Sequence, residues 1–228
     1  MTEIDANFGE RLAKCYSFWS NQRLMTPQTE KSATVFIVDD DAAIRFAMQA
    51  LMDSVNLRHE IFASGDEFLE KMTDQRPGCL VLDIRMPGLG GLELQEELIK
   101  RGNTLPIIFI TGHGDVPMAV EAMQKGAVDF IQKPFRDQEL LDRIREALAT
   151  DEERREAQQH HAEVAGRLDR LTNREREVFD LVVTGKPNKV IAYELGVSQR
   201  TVEIHRARVM EKMQARSLAD LVKMHMTA

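Results

Sequence analysis

The segments VFIVDDD (35–41) and CLVLDIRMPG (79–88) decide the fold, because each is a short apolar run that leads into aspartate. Three further apolar runs of strand length are HEIFA (59–63), PIIFI (106–110) and AVDFI (127–131). Helical patterns fill most of each interval between these runs. Strands that are apolar on both faces and alternate with helices form a parallel sheet covered by helices. Five repeats are too few for an eight-stranded barrel, so we expect an open, doubly wound five-stranded parallel sheet.

Local signals mark the intervening helices. The first, residues 42–55, is predicted to carry one apolar stripe made of Phe46, Met48, Leu51, Met52 and Val55. Ser64 and Glu67 have the spacing of a capping box that opens the next helix. Asp115 and Pro117 are predicted to open a later one, which Gly126 closes.

The charge of the chain is divided unevenly along its length. The net charge of the 228 residues is -7, yet the residues from Asp169 onward carry 11 basic and 8 acidic side chains. An acidic front and a mildly basic tail predict two functions on one chain. No apolar run is long enough to cross a bilayer, and the N-terminus lacks the pattern of a secretory signal. Two cysteines cannot build a disulfide framework, which indicates a cytoplasmic location.

The C-terminal segment is predicted to be all-α. Thr172 and Glu175 cap a first helix, Pro187 and Asn188 open a short second one that Gly196 closes, and Ser198 starts a longer third. A short helix, a glycine turn and a longer helix make a helix-turn-helix, in which Ala192 allows the close crossing of the two helices. Ile191, Leu195, Val197 and Val202 are expected to pack them together.

Four segments follow from these patterns. Residues 1–31 form an N-terminal arm of unknown role, 32–149 the α/β domain, 150–169 a helical linker, and 170–228 a small helix-turn-helix domain. The linker has a polar middle with apolar residues three or four apart at each end, namely Leu141, Ile144 and Leu148, then Val164, Leu168 and Leu171. This pattern predicts either a weak coiled-coil seam at each end or a single solvated helix that pairs with nothing.

Polar residues follow the ends of the predicted strands. They are Asp39, Asp40 and Asp41 after the first, Asp83 after the third, Thr111 after the fourth, and Lys133 after the fifth. In an open parallel sheet these positions share one rim, where ligands bind. Each residue alone has an ordinary structural explanation, such as a helix cap for Asp41. Together the carboxylates repel one another unless a cation offsets them, and oxygen-only ligands favour Mg²⁺ and phosphoryl chemistry.

These motifs identify a family. IVDDD, CLVLDIRMPG, FITGHGD and DFIQKPF resemble the receiver domain of two-component response regulators, over about residues 33–149. LTNREREVFDLVVTGKPNKVIAYELGVSQRTVEIHRARVMEKM resembles the LuxR-type helix-turn-helix. As a whole the chain is similar to the FixJ subfamily of transcriptional regulators. The resemblance implies a flavodoxin-like receiver and a DNA-binding domain on one chain.

The resemblance also implies the roles of the rim residues. Asp83 matches the aspartate that accepts a phosphoryl group from a sensor histidine kinase. The Mg²⁺ ligands would be Asp39, Asp40, Asp83 and the backbone carbonyl of Arg85. Lys133 and Thr111 match the residues that bond phosphoryl oxygens, and Phe130 matches the switch aromatic. The resemblance also implies a cis Lys133–Pro134 bond, a homodimer formed on phosphorylation, promoter DNA and RNA polymerase as partners, and no membrane association. The dimer face would include Val120 and Met123, although at helical spacing these two residues could equally belong to the core.

For DNA, the helix from Gln199 to Met213 is expected to enter the major groove. Val202 and Val209 should point inward. The candidate contacts are Arg200, Thr201, Glu203, Ile204, Ala207 and Arg208, with His205, Arg206, Asn188 and Lys189 contacting phosphates. Glu203 either accepts a hydrogen bond from cytosine or pairs with a neighbouring arginine.

Two other functions share part of this pattern. A haloacid-dehalogenase-like phosphatase needs a second aspartate two positions after the first, where this chain has Arg85, so we expect no enzyme beyond slow autodephosphorylation. Alternatively, the chain could be a phosphorelay adaptor whose C-terminal domain binds protein. The helix-turn-helix spacing favours DNA binding.

Overall fold

The computed structural model describes residues 33–72, 75–112 and 116–227, without the side chain of Val116. The expected arm over residues 1–31 and the helix-opening Asp115 lie outside these ranges. The chain divides into two compact units, with the boundary between Glu153 and Arg154.

The first unit is built on a parallel sheet of five strands in the order β2-β1-β3-β4-β5. The strands are β1 (Thr34–Val38), β2 (His59–Phe62), β3 (Gly78–Asp83), β4 (Ile107–Thr111) and β5 (Asp129–Gln132). Val38 pairs with Phe62 of β2 and with Leu82 of β3, which brings the carboxyl ends of these strands together. This strand order is that of flavodoxin-like folds, as expected from the sequence.

Helices cover both faces of this sheet. They are α1 (Ala42–Ser54), α2 (Gly65–Lys71), α3 (Gly91–Lys100), α4 (Val116–Gln124) and α5 (Asp137–Leu168). One core joins alternate strand residues such as Val35 and Val81 to α1 and the start of α5. The second core joins Phe36 and Phe109 to α2, α3 and α4. The alternation of strand residues between two buried faces explains why the strands are apolar throughout.

The predicted stripe of α1 is partly wrong. Met48 and Met52 are buried, and Leu51 and Val55 pack at the margin of the core, but the Phe46 side chain is 74% exposed. Phe46 is two residues before Met48, and two residues in a helix turn the side chain by about 200°, away from the core.

The second unit contains α6 (Asn173–Val183), α7 (Asn188–Leu195), α8 (Gln199–Met213) and α9 (Leu218–Thr227). Thr172 and Glu175 form the expected capping box, and Gly196 ends α7 in the left-handed conformation at φ 64°. Ile191, Ala192 and Val202 are buried where α7 and α8 pack, with Leu195 and Val197 beside them. The predicted helix-turn-helix is therefore present.

Of the two alternatives for the linker, the coiled-coil seam is wrong. Helix α5 runs without a break from Asp137 to Leu168. Leu141, Ile144 and Leu148 are buried in the core of the first unit, and Val164 and Leu168 in the core of the second. The periodic apolar residues thus pack within their own units and are not available to a partner helix.

Within the ranges that the structure describes, no helix has the length and apolar character of a membrane span.

Candidate functional site

The polar residues of the rim come from four strands of the sheet. Asp39 directly follows β1, Asp83 ends β3, Thr111 ends β4, and Lys133 directly follows β5. Asp39, Asp83 and Thr111 are all buried, with 1%, 7% and 4% of their surfaces exposed. Buried carboxylates need partners, so their contacts define the site.

One ammonium group joins the two buried carboxylates. Lys133 Nζ donates hydrogen bonds to Asp83 Oδ1 at 2.6 Å and to Asp39 Oδ2 at 3.0 Å. The expected cis bond between Lys133 and Pro134 is present and lies directly after the lysine. The sequence prediction that Asp39, Asp83 and Lys133 converge is therefore met.

Backbone groups fix the remaining carboxylate oxygens. Asp83 Oδ2 accepts from the backbone N–H of Arg85 at 2.9 Å, and Asp39 Oδ1 accepts from that of Asp41 at 2.8 Å. Arg45 of α1 donates from Nη1 to the carbonyl oxygen of Asp39 at 2.7 Å, a contact that the sequence gave no reason to expect. Both oxygens of Asp83 are thus hydrogen-bonded, which holds its side chain in one orientation.

The backbone of Asp83 is packed against the start of α3. A Cβ atom placed on Gly91 would lie 2.4 Å from the carbonyl oxygen of Asp83 and 2.9 Å from Cα of Ile84. The Gly91 N–H also donates to the Ile84 carbonyl at 2.9 Å. Only glycine permits this close approach of the helix to the end of β3.

Burial and charge act in opposite directions on the site's acid and base. Burial raises the pKa of Asp83 above its usual value, although the hydrogen bond from Lys133 opposes that rise. Burial also acts to lower the pKa of Lys133, but its hydrogen bonds to Asp83 and Asp39 outweigh this effect and raise the pKa. The lysine is therefore held in its charged form between two carboxylates.

The other two expected metal ligands are not side chains of this buried cluster. Asp40 is exposed, and Arg85 contacts the cluster through its backbone N–H, whereas the expected ligand is its carbonyl oxygen. Within the described ranges, no three His, Cys, Asp or Glu side chains are grouped closely enough to hold a metal ion. The donor set still suits Mg²⁺, because the buried carboxylates of Asp39 and Asp83 offer only oxygen and Lys133 neutralises just one of them.

Thr111 and Phe130 occupy the adjacent strands β4 and β5. Thr111 is buried and its Oγ1 donates to the carbonyl oxygen of Gly112 at 3.2 Å. The Phe130 side chain is 42% exposed on the last strand of the sheet. On α4, Val120 and Met123 are also exposed, by 51% and 39%. The sequence left open whether Val120 and Met123 were core residues; they are at the surface.

In the second unit, α8 presents the expected outer surface. Val202 and Val209 are buried, whereas Arg200, Glu203, Ile204, Ala207 and Arg208 are exposed and Thr201, His205 and Arg206 are half-buried. Arg206 Nη1 donates to Asn188 Oδ1 at 2.9 Å, so two of the expected phosphate contacts hold each other, and Lys189 beside them is exposed. Glu203 makes no ion pair with any residue in the described part of the chain, and its role at DNA stays a prediction.

Comparison with known proteins gives the family. Residues 35–145 match the model of the response regulator receiver domain, and residues 169–225 match that of the bacterial regulatory proteins of the luxR family. Nodulation protein W of Bradyrhizobium diazoefficiens is 49% identical over 209 residues, which are 92% of this chain and 92% of that protein. The chain belongs to the response regulators with a LuxR-type domain.

Further relatives of this response regulator agree. Transcriptional regulatory protein FixJ of Azorhizobium caulinodans is 44% identical over 198 residues, covering 87% of this chain and 94% of that protein. Among solved structures, response regulator StyR matches with a TM-score of 0.80 at 44% identity. The match covers 86% of this chain and 100% of the StyR chain. Full-length FixJ from B. japonicum has a TM-score of 0.56 at 41% identity, over 86% of this chain and 97% of that chain. The predicted fold, family and DNA-binding regulatory function are confirmed, and the adaptor alternative loses its support.

Proposed function

We propose that this response regulator accepts a phosphoryl group on Asp83 from a sensor histidine kinase, and that phosphorylation promotes homodimerisation and binding to promoter DNA. The observation that carries the proposal is the contact of one ammonium, Lys133 Nζ, with both Asp83 and Asp39 at the end of the sheet. Once Asp83 carries a phosphoryl group, the negative charge lies on the phosphoryl oxygens. The ammonium of Lys133 can then pair with one of them.

The chemistry at Asp83 is nucleophilic. A carboxylate oxygen of Asp83 attacks phosphorus, the new P–O bond forms, and the P–N bond to the kinase histidine breaks. Because the phosphorylated imidazole is protonated on its other ring nitrogen, the kinase histidine leaves as neutral imidazole. The chain therefore need not supply a proton. The hydrogen bonds from Lys133 and from the Arg85 N–H hold the carboxylate in position for attack. Slow hydrolysis of the acyl phosphate would return the chain to its resting state.

The ligands of Mg²⁺ would be Asp39, Asp40, Asp83 and the carbonyl oxygen of Arg85. When bound, the ion would offset the negative charge on the phosphoryl oxygens. The exposed carboxylate of Asp40 directly follows the buried Asp39, so it can complete this oxygen set from the solvent side.

The switch would run through the fourth and fifth strands. Thr111 Oγ1, which now bonds the carbonyl of Gly112, would turn to a phosphoryl oxygen, and Phe130 would move inward. Val120, Met123 and Phe130 lie on α4 and β5, so this movement would reshape the exposed apolar surface that they form. Two copies that bury this surface against each other would gain stability from apolar contact.

Helix α1 offers a surface for the kinase. Its Ala43, Phe46, Ala47 and Ala50 lie three or four residues apart and are exposed, and none carries a charge. Beside them an apolar cavity of about 320 Å³ lies between α1 and the segment Lys133–Phe135, so this surface reaches the lysine of the site. A kinase helix that brings its phosphohistidine to Asp83 would contact this face. Phe46→Ala should slow transfer from the kinase without slowing transfer from a small phosphoryl donor.

At the promoter, the exposed residues of α8 would read base edges while Asn188, Lys189, His205 and Arg206 contact phosphates. The chain would act in the cytoplasm and recruit RNA polymerase from the DNA-bound dimer. These partners follow from the LuxR-type domain and from the proposed switch.

The test uses a small phosphoryl donor, acetyl phosphate, with Mg²⁺. Intact-mass spectrometry should show one added phosphoryl group on the wild-type chain and none on Asp83→Asn. Light scattering should show a monomer becoming a dimer only when the group is added. Phosphorylation of Asp83→Asn to the wild-type extent would rule out Asp83 as the acceptor.

A further inference from the structure

The recognition helix α8 is held at the end opposite to its expected base contacts. Those contacts lie between residues 200 and 208, whereas Lys212 lies in the last turn. Lys212 Nζ donates to Glu175 Oε2 at 2.5 Å and to the backbone carbonyl oxygen of Arg170 at 3.1 Å. We refer to Arg170, Glu175 and Lys212 as the α8 anchor.

The buried carboxylate of Glu175 explains why Lys212 is held in one place. Its side chain is only 3% exposed, and the same Oε2 accepts from the backbone N–H of Thr172 at 2.8 Å. The hydrogen bond from Lys212, followed by that from Thr172, lowers the pKa of Glu175 to about 2, so the carboxylate is charged at neutral pH. A buried carboxylate without a cation is strongly unfavourable, and Lys212 is therefore kept at this one position.

Residues on both sides of the junction between α5 and α6 make polar contacts with the last turn of α8 or with Met213 at its end. Arg167, in the last turn of α5, donates from Nη1 to the carbonyl oxygen of Met213 at 3.4 Å. Arg170 lies between the two helices, and Glu175 lies in the first turn of α6. Polar bonds from three consecutive parts of the chain thus converge on the last turn of α8, in addition to the apolar packing of Val202 and Val209.

We propose that Lys212 and Glu175 are positioning residues for sequence-specific DNA binding. Lys212 lies 12 residues, or about 18 Å along the helix, from the first expected base contact at Arg200. A tilt of about 5° at the anchored end would move that side chain by about 1.5 Å. Hydrogen bonds to base edges do not survive such a displacement, whereas long basic side chains can still reach phosphates.

The experiment compares a duplex that wild type selects from a random pool with a scrambled duplex. The double variant Glu175→Gln with Lys212→Met removes the buried ion pair but keeps an amide oxygen to cap α6, so the unit can fold without a buried charge. We expect about tenfold weaker binding to the selected duplex, comparable to the loss of one good base contact. Binding to the scrambled duplex and the salt dependence of binding should stay the same.

Two single variants complete the design. Lys212→Arg keeps the charge and the reach to Glu175, and should restore binding to within about threefold of wild type, a small part of one contact's value. Lys223→Met removes one positive charge from α9 and should change neither affinity, because Lys223 is outside the α8 anchor.

Several outcomes would overturn the proposal. Wild-type affinity of the double variant for the selected duplex is one. A parallel loss on both duplexes, with the salt slope reduced by about one, is another, since it would make Lys212 a direct phosphate contact. If the double variant does not fold, Glu175→Gln alone decides: it keeps Lys212 and the cap, and unchanged binding to the selected duplex contradicts the proposal. Failure of wild type to select any sequence would instead contradict DNA binding itself.

Discussion

Lys133 Nζ lies 2.6 Å from Asp83 Oδ1, although the two residues are 50 positions apart in the sequence. The contact exists because β3 and β5 are parallel and both end at the same edge of the sheet. It places the only cation of the buried cluster Asp39, Asp83 and Lys133 where a phosphoryl group on Asp83 would arrive. Under the proposed function, the stability of the unit and its response to phosphorylation would therefore depend on the same side chain.

Replacing Lys133 with methionine should leave Asp39 and Asp83 as an uncompensated buried pair. We expect the free energy of unfolding to fall by about 3 kcal/mol and the phosphorylation-dependent dimer to disappear. Urea denaturation and light scattering measure the two effects. Lys71→Met is a suitable control, because Lys71 forms an exposed pair with Glu67 on α2. Equal destabilisation by both variants would contradict the proposed role of Lys133.

Replacing Gly91 with alanine should disturb the backbone of Asp83, the proposed phosphoacceptor. The added Cβ would lie 2.4 Å from the Asp83 carbonyl oxygen, so α3 or the end of β3 must move. We expect a loss of about 1–3 kcal/mol in stability and slower labelling by acetyl phosphate. The matched control is Gly166→Ala in α5, where a Cβ meets no atom within 4 Å and should add roughly 0.5–1 kcal/mol to helix stability.

Replacing Val120 with arginine should prevent dimerisation without preventing phosphorylation. Val120 is 51% exposed on α4, so the folded unit tolerates the change, but two copies would bring like charges together. Light scattering of the phosphorylated variant should show a monomer. Ile99 of α3 is exposed to the same degree, 52%, and Ile99→Arg should still dimerise. A monomeric Ile99→Arg would place the interface elsewhere.

Acid should loosen the second unit through Glu175. The pKa of Glu175 is lowered from 4.5 to about 2, chiefly by the hydrogen bond from Lys212. A lowered acid pKa stabilises the fold fully above the ordinary value, and this contribution disappears as the pH falls from about 4.5 to about 2. Hydrogen exchange of residues 172–213, corrected for intrinsic rates, should show the advantage of wild type over Glu175→Gln shrinking across that range. Glu203→Gln, which removes an exposed carboxylate of α8, serves as the control.

Replacing Glu203 with alanine should relax sequence preference at one base pair. Glu203 is exposed and makes no ion pair in the described part of the chain, so its carboxylate can accept from cytosine N4. Selection from random duplexes should lose a cytosine preference at one position, worth about 1–3 kcal/mol. Glu211→Ala, further along the same exposed side of α8, should leave the selected sequence unchanged.

Much of the fold was accessible from local patterns. The doubly wound sheet follows from five strands that are apolar on both faces, and the caps at Thr172 and Gly196 follow from residue chemistry. Phe46 was misplaced because residue type was given more weight than its angle around α1. For the apolar residues at the two ends of the linker, the coiled-coil alternative fails because periodicity shows that a face is buried but does not show against what.

The site also combines features that the sequence predicts with others that it does not. The convergence of Asp39, Asp83 and Lys133 was predictable, since parallel strands bring their carboxyl ends to one edge. The bonds of Arg45 to Asp39 and of Lys212 to Glu175 were not, because a long side chain can reach several partners and only the packed structure selects one. Glu175 could be identified from sequence as a helix cap, but nothing there linked it to α8.

The close packing of Gly91 against Asp83 also matters for comparing the protein with its phosphorylated state. Helix α3 begins against the backbone of Asp83, and its fully buried Gln95 donates from Nε2 to the Ala122 carbonyl of α4 at 3.1 Å. Strand β3 and helix α3 are thus the natural frame on which to superpose the two states. Displacements measured against that frame will separate a genuine rotation of α4 from a shift of the whole domain.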